Sequence, residues 1–254
     1  MKFIGLDLAW SARNKTGAAV IGGDAADGEL VASTLLHGDD EIVEFVLRHA
    51  ADDPALVTID APLWVPNATG RRPAEAEIGA AFGRYRLAAY PANRAKLAVD
   101  DVVRGEALVD RLQAHGFVHH AEVTALVPVR QIVEVYPHPA MLAFFNLGRP
   151  LPYKARPHRT LADRHVAFQQ FQTLIKSLKI ATPALTNTEQ LLDQPVDQLG
   201  PSALKRYEDQ LDGLMCAYIG QYLWRWGMAR ANVFGNIQEG YITTPVPATM
   251  NNKQ

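Results

Sequence analysis

An aspartate interrupts an apolar run near the start of the chain, and few folds accommodate that combination. The segment "FIGLDLAW" begins at residue 3 and contains Asp7. Apolar residues occupy both faces of the extended segment, which is typical of a strand covered on both sides. A carboxylate in such a strand costs several kcal/mol, on the order of the penalty for a buried polar group, unless its charge is compensated. The sequence therefore predicts a covered sheet with a compensating site at Asp7.

The composition indicates one globular domain. The chain has 254 residues, of which 48% are hydrophobic and 20% are charged, enough for one large core. The formal net charge is −2, so no general positive field attracts nucleic acid, and any such contact has to be local. The sequence has a single cysteine, no N-terminal basic stretch followed by an apolar core, and no apolar run of about 18 residues. These features favour a cytoplasmic protein without membrane contact.

The order of strand and helix patterns predicts an α/β domain with a mixed sheet. Three sequential strand patterns are followed by a helix, a fourth strand that ends at Asp60, and a fifth strand in "RQIVEVYPHPA" that contains Glu134. Between the fourth and fifth strands, loop signals and two helical patterns predict an insertion at about 66–130 within one domain spanning 1–254. The other predicted ranges are strands at 2–9, 17–23 and 30–36 and helices at 39–51, 74–82, 105–115, 160–179 and 204–226.

Acidic residues recur where these elements end. Asp7 and Asp60 lie at strand ends, and Asp209 and Asp212 stand three residues apart on the same face of the last helix. Carboxylates that converge repel one another unless they are protonated or bind a metal. A hard divalent cation with oxygen ligands compensates such a cluster, and Mg²⁺ or Mn²⁺ suits an open site completed by water and a phosphate.

The residues also carry a family resemblance. In chain order, "GLDLAW", "IDAPLWVPNATGRR", "EVYPHPA", "YK" at Tyr153-Lys154 and "EDQLDGLMCAY" resemble domain-of-unknown-function family 429, the predicted nucleases of the ribonuclease H-like fold. The resemblance implies a five-stranded mixed sheet, three antiparallel strands and then two parallel ones, flanked by helices. It also implies that acids bind two metal ions and hydrolyse a phosphodiester, one ion activating water and the other stabilising the leaving oxygen. By position these acids are Asp7, Asp60 and the pair Asp209 and Asp212.

Glu134 belongs to the motif of this family rather than to the wider superfamily pattern. We expect it to act in catalysis with Asp7, Asp60 and Asp212; the alternative is a salt bridge, to Lys154 or Arg159. Two basic stretches predict phosphate contacts, through Arg71 and Arg72 after the fourth strand and through Lys154 and Arg159 in the loop "GRPLPYKARPHR".

The sequence supports three functional hypotheses. The first is a metal-dependent nuclease or phosphodiesterase acting on nucleic acid or on a small phosphodiester. The second is a non-catalytic binding module of the ribonuclease H-like fold, and the third is a nucleotide-binding, phosphotransferase-like protein. Metal-dependent cleavage by the purified protein separates the first hypothesis from the second.

Overall fold

A mixed seven-stranded sheet forms the centre of the protein. The computed structural model describes residues 1–11 and 13–250. Its strands are β1 (Lys2–Asp7), β2 (Thr16–Gly23), β3 (Asp27–Leu36), β4 (Ala55–Ile59), β7 (Val118–His119), β8 (Arg130–Glu134) and β9 (Ala184–Thr186). They lie in the order β7-β8-β4-β1-β2-β3-β9. The antiparallel pairs are β1 with β2 and β2 with β3, while β4 runs parallel to β1 and β8 parallel to β4.

Two small hairpins and eight α-helices complete the described structure. One hairpin consists of β5 (Ala98–Val99) and β6 (Val102–Val103), the other of β10 (Ala231–Asn236) and β11 (Gly240–Pro245). None of the described helices is both long and apolar enough to cross a membrane. They are α1 (Gly38–Ala50), α2 (Pro73–Phe82), α3 (Arg94–Leu97), α4 (Arg104–Gln113), α5 (Pro137–Phe144), α6 (Leu161–Ser177), α7 (Glu189–Leu192) and α8 (Pro201–Trp226).

Local chemistry explains where the principal helices begin. Three acidic residues lie in the first turn of α1, where the helix dipole favours negative charge. Thr160 caps α6, because its hydroxyl accepts the Asp163 N–H while the Asp163 carboxylate accepts the Thr160 N–H. Proline occupies the first position of α2 and of α8, where its missing N–H is not needed.

The α/β class and the mixed sheet are confirmed, but the expected strand number differs. The five central strands β8, β4, β1, β2 and β3 match the five expected ones, and β7 and β9 extend the sheet at its two edges. Each edge strand has at most three residues, too few for an alternating pattern to identify it. The hairpin of β10 and β11 was also not predicted from the sequence.

The sheet is covered on both faces. On one face, Phe3 and Val133 belong to a core that includes α6 and α8. On the other face, Ile4 and Ile59 pack with α1 and α4. The segment 66–130 therefore contributes α4 to the main core and β7 to the sheet, while its α2 packs against the β10–β11 hairpin.

Helix α8 lies unusually close to β1 and β2. A Cβ on Gly5 would lie 2.0 Å from the Ala217 nitrogen and 2.3 Å from the Gly213 oxygen. A Cβ on Gly17 would lie 1.7 Å from the Asp209 oxygen. These distances are far below van der Waals contact, so the helix can occupy its position only because both strand residues lack a side chain. The close approach holds the acidic turn of α8 against the end of β1.

Replacing Gly5 by Ala is expected to destabilise the protein by about 3 kcal/mol, the upper end of overpacking costs, because the new methyl group meets backbone atoms that cannot rotate away. Gly79→Ala is the matched control, because Gly79 lies in α2 with no atom within 4 Å of the added Cβ. We expect that control to gain about 0.4–1 kcal/mol. Urea unfolding measures both changes, and equal stabilities of the two variants would contradict the close-packing interpretation.

Candidate active site

Asp7 and Asp60 lie side by side at the ends of neighbouring parallel strands. Leu6 of β1 is in register with Ile59 of β4, and the Asp60 N–H donates to the Leu6 carbonyl at 2.9 Å. Side chains alternate along a strand, so Asp7 and Asp60 share the face of the residues two positions earlier. That face carries α8, because the Thr58 hydroxyl donates to the Cys216 carbonyl. Both carboxylates therefore point toward α8.

Neither carboxylate is neutralised within its own strand. Both residues are half-buried, and no hydrogen bond from a described residue contributes to either pKa. Burial, and next the charge of Asp212, raise the pKa of Asp7 well above its ordinary value. Burial raises the pKa of Asp60 to about 7, although the Lys154 ammonium opposes the shift. The ionised pair thus destabilises the folded state unless a cation joins it.

Asp212 has the partners that its burial requires. The Tyr153 hydroxyl donates to Asp212 Oδ1 at 2.7 Å, and Lys154 Nζ lies 2.9 Å from Asp212 Oδ2. Burial lowers the pKa of Lys154, but Asp212, Asp7 and Asp60 more than offset that effect and hold the pKa well above its ordinary value. Lys154 therefore stays charged, and its ammonium group is a cation beside Asp212, Asp7 and Asp60. The sequence analysis had not recognised this pairing of Lys154 with the acids.

Asp209 pairs with a lysine of its own helix. Lys205 Nζ lies 2.7 Å from Asp209 Oδ1 and 2.8 Å from Glu208 Oε1. Arg164 of α6 pairs with the same Glu208 at 3.2 Å. Burial raises the pKa of Asp209, and Lys205 opposes that shift. The turn of α8 below Asp212 is thus a network of ion pairs.

Glu134 forms a buried ion cluster with two residues of the segment after β4. Arg72 donates to both Glu134 oxygens, at 3.0 and 2.6 Å, and its Nη2 also lies 2.6 Å from Glu75 Oε1. The Leu63 N–H donates to Glu134 at 2.8 Å. Glu134 is in register with Ile59, so it lies one position out of phase with Asp60. The cluster fastens the loop after β4 to β8.

This geometry gives Glu134 and Arg72 structural contacts in addition to the site roles that the sequence predicts for them. Every N–H group of the Arg72 guanidinium has a partner in Glu75, Glu134 or the Trp64 carbonyl, so none is free for a phosphate. Glu134 is a salt-bridge partner, as the alternative interpretation held, but of Arg72 rather than of Lys154 or Arg159. Both residues fasten the loop after β4 to β8, and both also line the cavity that contains Asp7.

The other two predicted basic residues have different positions. Arg71 is exposed and does not line the cavity that contains Asp7. The Arg159 guanidinium donates to the Lys154 carbonyl and so braces the loop that carries Lys154. Of the four predicted phosphate ligands, Lys154 is the one whose charged group lies beside Asp212, Asp7 and Asp60.

The carboxylates open into a cavity of about 720 Å³, which we call the central cavity. Its wall combines acidic, basic and aromatic side chains. The charged groups of Lys15 and Arg206 lie at exposed positions of this wall, and those of Lys154 and Lys205 are paired with acids. A cavity of this size, with convergent polar groups and shifted pKa values, is typical of an active site.

The carboxylates do not form the expected four-ligand metal cluster. Within 1–11 and 13–250, no group of three or more His, Cys, Asp or Glu side chains is arranged to hold a metal ion. Asp209 and Asp212 have lysine partners, which leaves Asp7 and Asp60. Mg²⁺ commonly uses one or two carboxylates and completes its shell with water and substrate phosphate. The donor set therefore fits one Mg²⁺ or Mn²⁺ ion better than a two-ion cluster.

Several residues of the site were missed in the sequence analysis. Lys205 could have been found, because it stands four residues before Asp209 on one helix face. Tyr153 precedes Lys154 in the quoted "YK" pair, but nothing in the sequence indicates that its hydroxyl reaches Asp212. Trp10 and Tyr90, whose rings lie 5.4 Å apart beside the central cavity, are 80 positions apart in the chain and share no pattern.

The Asp60→Asn variant is expected to be as stable as the wild type near pH 4 and more stable at pH 8. Folding raises the pKa of Asp60 from 3.8 to about 7, so the folded protein holds this proton more tightly than the unfolded chain. The cost of the ionised group is absent below about pH 4, grows toward pH 7 and is complete above it. Unfolding of both proteins in EDTA across this pH range measures the difference, and a pH-independent difference would contradict the assignment.

The comparisons with known proteins concern the same residues. The family model described as protein of unknown function (DUF429) matches residues 5–233, which include Asp7, Asp60, Lys154 and Asp212. No curated protein matches the chain. Because the family model covers most of the sequence, the chain belongs to the DUF429 family of proteins of unknown function.

Proposed function

We propose that this protein is a divalent-metal-dependent phosphodiester hydrolase, with Asp7 and Asp60 as the ligands of Mg²⁺ or Mn²⁺. The observation that carries the proposal is the pair of adjacent carboxylates with raised pKa values, which no described residue neutralises by a hydrogen bond and which face the central cavity. Basic side chains on the cavity wall complement a phosphate group. The substrate is nucleic acid or a small phosphodiester.

The proposal includes a ribonuclease H-like fold. The arrangement that supports it is the central sheet, in which three antiparallel strands are followed by two parallel ones in the order β8-β4-β1-β2-β3. The acids Asp7 and Asp60 end the first and fourth strands, and Asp212 lies on the last long helix. These are the positions that the family resemblance implies.

The residues of this chain have separable tasks in the proposed reaction. When bound, the metal ion would activate the attacking water and stabilise the developing charge. Tyr153 and Lys154 hold Asp212 in one orientation beside Asp7. The Lys154 ammonium, close to three carboxylates, also attracts an incoming phosphate into the cavity. Arg72 and Glu134 keep the loop after Asp60 rigid.

The test is incubation of the purified protein with single-stranded and duplex DNA and RNA, mononucleotides, ATP and bis(4-nitrophenyl) phosphate. Each substrate is tested with Mg²⁺, with Mn²⁺ and with EDTA. We expect cleavage that requires the metal and disappears in Asp60→Asn. Asp193→Asn is the matched control, because Asp193 pairs with Lys176 at an exposed site away from the cavity. Absence of metal-dependent cleavage of every substrate would contradict the proposal.

A second candidate is binding of a phosphate-containing ligand without hydrolysis. The observation that favours it is the Lys154–Asp212 ion pair, which already supplies a cation to the carboxylates. The same panel distinguishes it, because a binding module would retain labelled nucleic acid and release no product. A phosphotransferase-like activity would instead appear as conversion of ATP to ADP.

A further inference from the structure

A second cavity adjoins the central cavity and is lined by basic residues. It has a volume of about 680 Å³, and we call it the basic cleft. Its charged lining residues are Arg86, Arg149, Lys154, Arg156 and Arg159, with no aspartate or glutamate among the residues that line it. In a chain with 25 basic and 27 acidic side chains, this separation of charge is pronounced. Only an anionic ligand complements such a lining.

Three arginines of the basic cleft have no acidic partner among residues 1–11 and 13–250. Arg86, Arg149 and Arg156 are exposed, and none of them makes an ion pair with an acid in the described part of the chain. Other arginines are paired, as Arg94 is with Glu106 and Arg104 is with Asp39. The free guanidinium groups converge on one recess although Arg86 lies far from the other two in sequence. Each can donate two parallel hydrogen bonds to a phosphate.

The basic cleft and the central cavity share a wall. Tyr136, His138, Lys154 and Arg156 line both of them. The buried Nδ1 of His138 has no hydrogen-bond partner among the described residues. None of the four residues that line both cavities is acidic, so an anionic ligand can extend from Asp7 and Asp60 into the basic cleft without passing a further carboxylate.

The central cavity also carries two exposed aromatic side chains. Trp10 is 51% exposed and Tyr90 is 65% exposed. Their ring centroids lie 5.4 Å apart, and Lys96 Nζ lies 4.9 Å from the centre of the Tyr90 ring. Exposed aromatic rings beside a cationic group form a platform on which a nucleobase stacks.

We propose that the two cavities together bind one single nucleic-acid strand. A base stacks on Trp10 and Tyr90, the phosphodiester to be cleaved lies at Asp7 and Asp60, and a neighbouring phosphate of the same strand occupies the basic cleft. This inference rests on the proposed hydrolase function and specifies its substrate. A mononucleotide or an isolated phosphodiester fills the central cavity only and leaves the free arginines without a ligand.

The experiment measures binding in EDTA, so that it does not depend on cleavage. Fluorescein-labelled single-stranded oligonucleotides of two and of about eight nucleotides are titrated with wild type, Arg149→Ala and Trp10→Ala. For the longer strand, we expect each variant to bind at least about tenfold more weakly. Arg149→Ala should also lower the slope of log K against log salt by about 0.7, the value for one lost phosphate contact on a single strand.

Arg48→Ala is the matched control, because Arg48 is an exposed arginine of α1 and lines neither cavity. Thermal unfolding of each variant verifies that the fold is intact. The inference is overturned if Arg149→Ala and a second variant, Arg86→Ala, bind the longer strand as the Arg48→Ala control does. It is also overturned if the two lengths bind equally, or if a duplex binds more tightly than the single strand. Cleavage of a small phosphodiester alongside these results would retain the hydrolase function and reject only this substrate.

Discussion

Asp7→Asn is expected to abolish metal-dependent cleavage, by at least about a hundredfold, while leaving the protein folded. Loss of residues that merely support metal ligands already costs about 10–100-fold, and Asp7 is proposed as a ligand itself. In EDTA the variant should melt no lower than the wild type, because burial and the charge of Asp212 disfavour the ionised Asp7 carboxylate. Asparagine keeps the shape of the side chain and removes this cost.

The effect of Mn²⁺ on the melting temperature gives a second measurement of the role of Asp7, and it needs no substrate. A ligand that binds only the folded state adds about 2.7 kcal/mol of stability at 100 times its dissociation constant. Mn²⁺ should therefore raise the Tm of the wild type and of Asp193→Asn, and should raise that of Asp7→Asn much less. A destabilised Asp7→Asn variant beside a wild type that does not respond to Mn²⁺ would show that Asp7 is a structural residue.

Arg72→Met is expected to destabilise the protein by about 3–5 kcal/mol, the cost of removing one partner of a buried ion pair. Arg72 is 1% exposed and Glu134 is 2% exposed, so water cannot replace the lost contacts. Burial already raises the pKa of Glu134 despite its pairing, and without Arg72 its charge would be uncompensated. Urea unfolding measures the change in the free energy of unfolding.

The neighbouring residue supplies the matched control. Arg71 is exposed, and Arg71→Met should change the free energy of unfolding by no more than about 0.5 kcal/mol. Adding Glu134→Gln to Arg72→Met should recover part of the lost stability, because Glu134 is then neutral and only one of the two buried carboxylates that Arg72 pairs with, Glu75, keeps a charge without a cation. Equal effects of Arg71→Met and Arg72→Met would refute the assigned ion cluster.

Most elements of the fold could be predicted because their patterns are local. Long apolar runs identified the five central strands, and periodic apolar residues identified α1, α6 and α8 to within a few residues. The strands β7 and β9 have at most three residues, and sheet pairing rather than local pattern defines them. The β10–β11 hairpin has alternating apolar residues around Gly240, a signal that the sequence analysis did not use.

The acidic residues of the site also differ in how well the sequence predicts their surroundings. The apolar run before Asp60 places that acid at a strand end, whereas the run around Asp7 continues past it and only the structure ends β1 at Asp7. The partners of the other acids lie far away in sequence: Arg72 is 62 positions from Glu134, and Tyr153 is 59 positions from Asp212. No local spacing identifies such partners, so Arg72 was assigned to substrate and the cation beside Asp212 was overlooked.

The sequence by itself determined the α/β class and the order of the main strands along the chain, because burial patterns and strand alternation depend on residues close together in the chain. Asp7 and Asp60 lie side by side because β1 pairs with β4, which is a long-range contact. The tertiary structure decided which charged side chains form ion pairs. Lys154 reaches Asp212 only because α8 lies against Gly5 and Gly17, and this close approach depends on strand pairing and helix packing across the whole molecule. Electrostatic partnership depends on distance in space, which the spacing of residues along the chain does not specify.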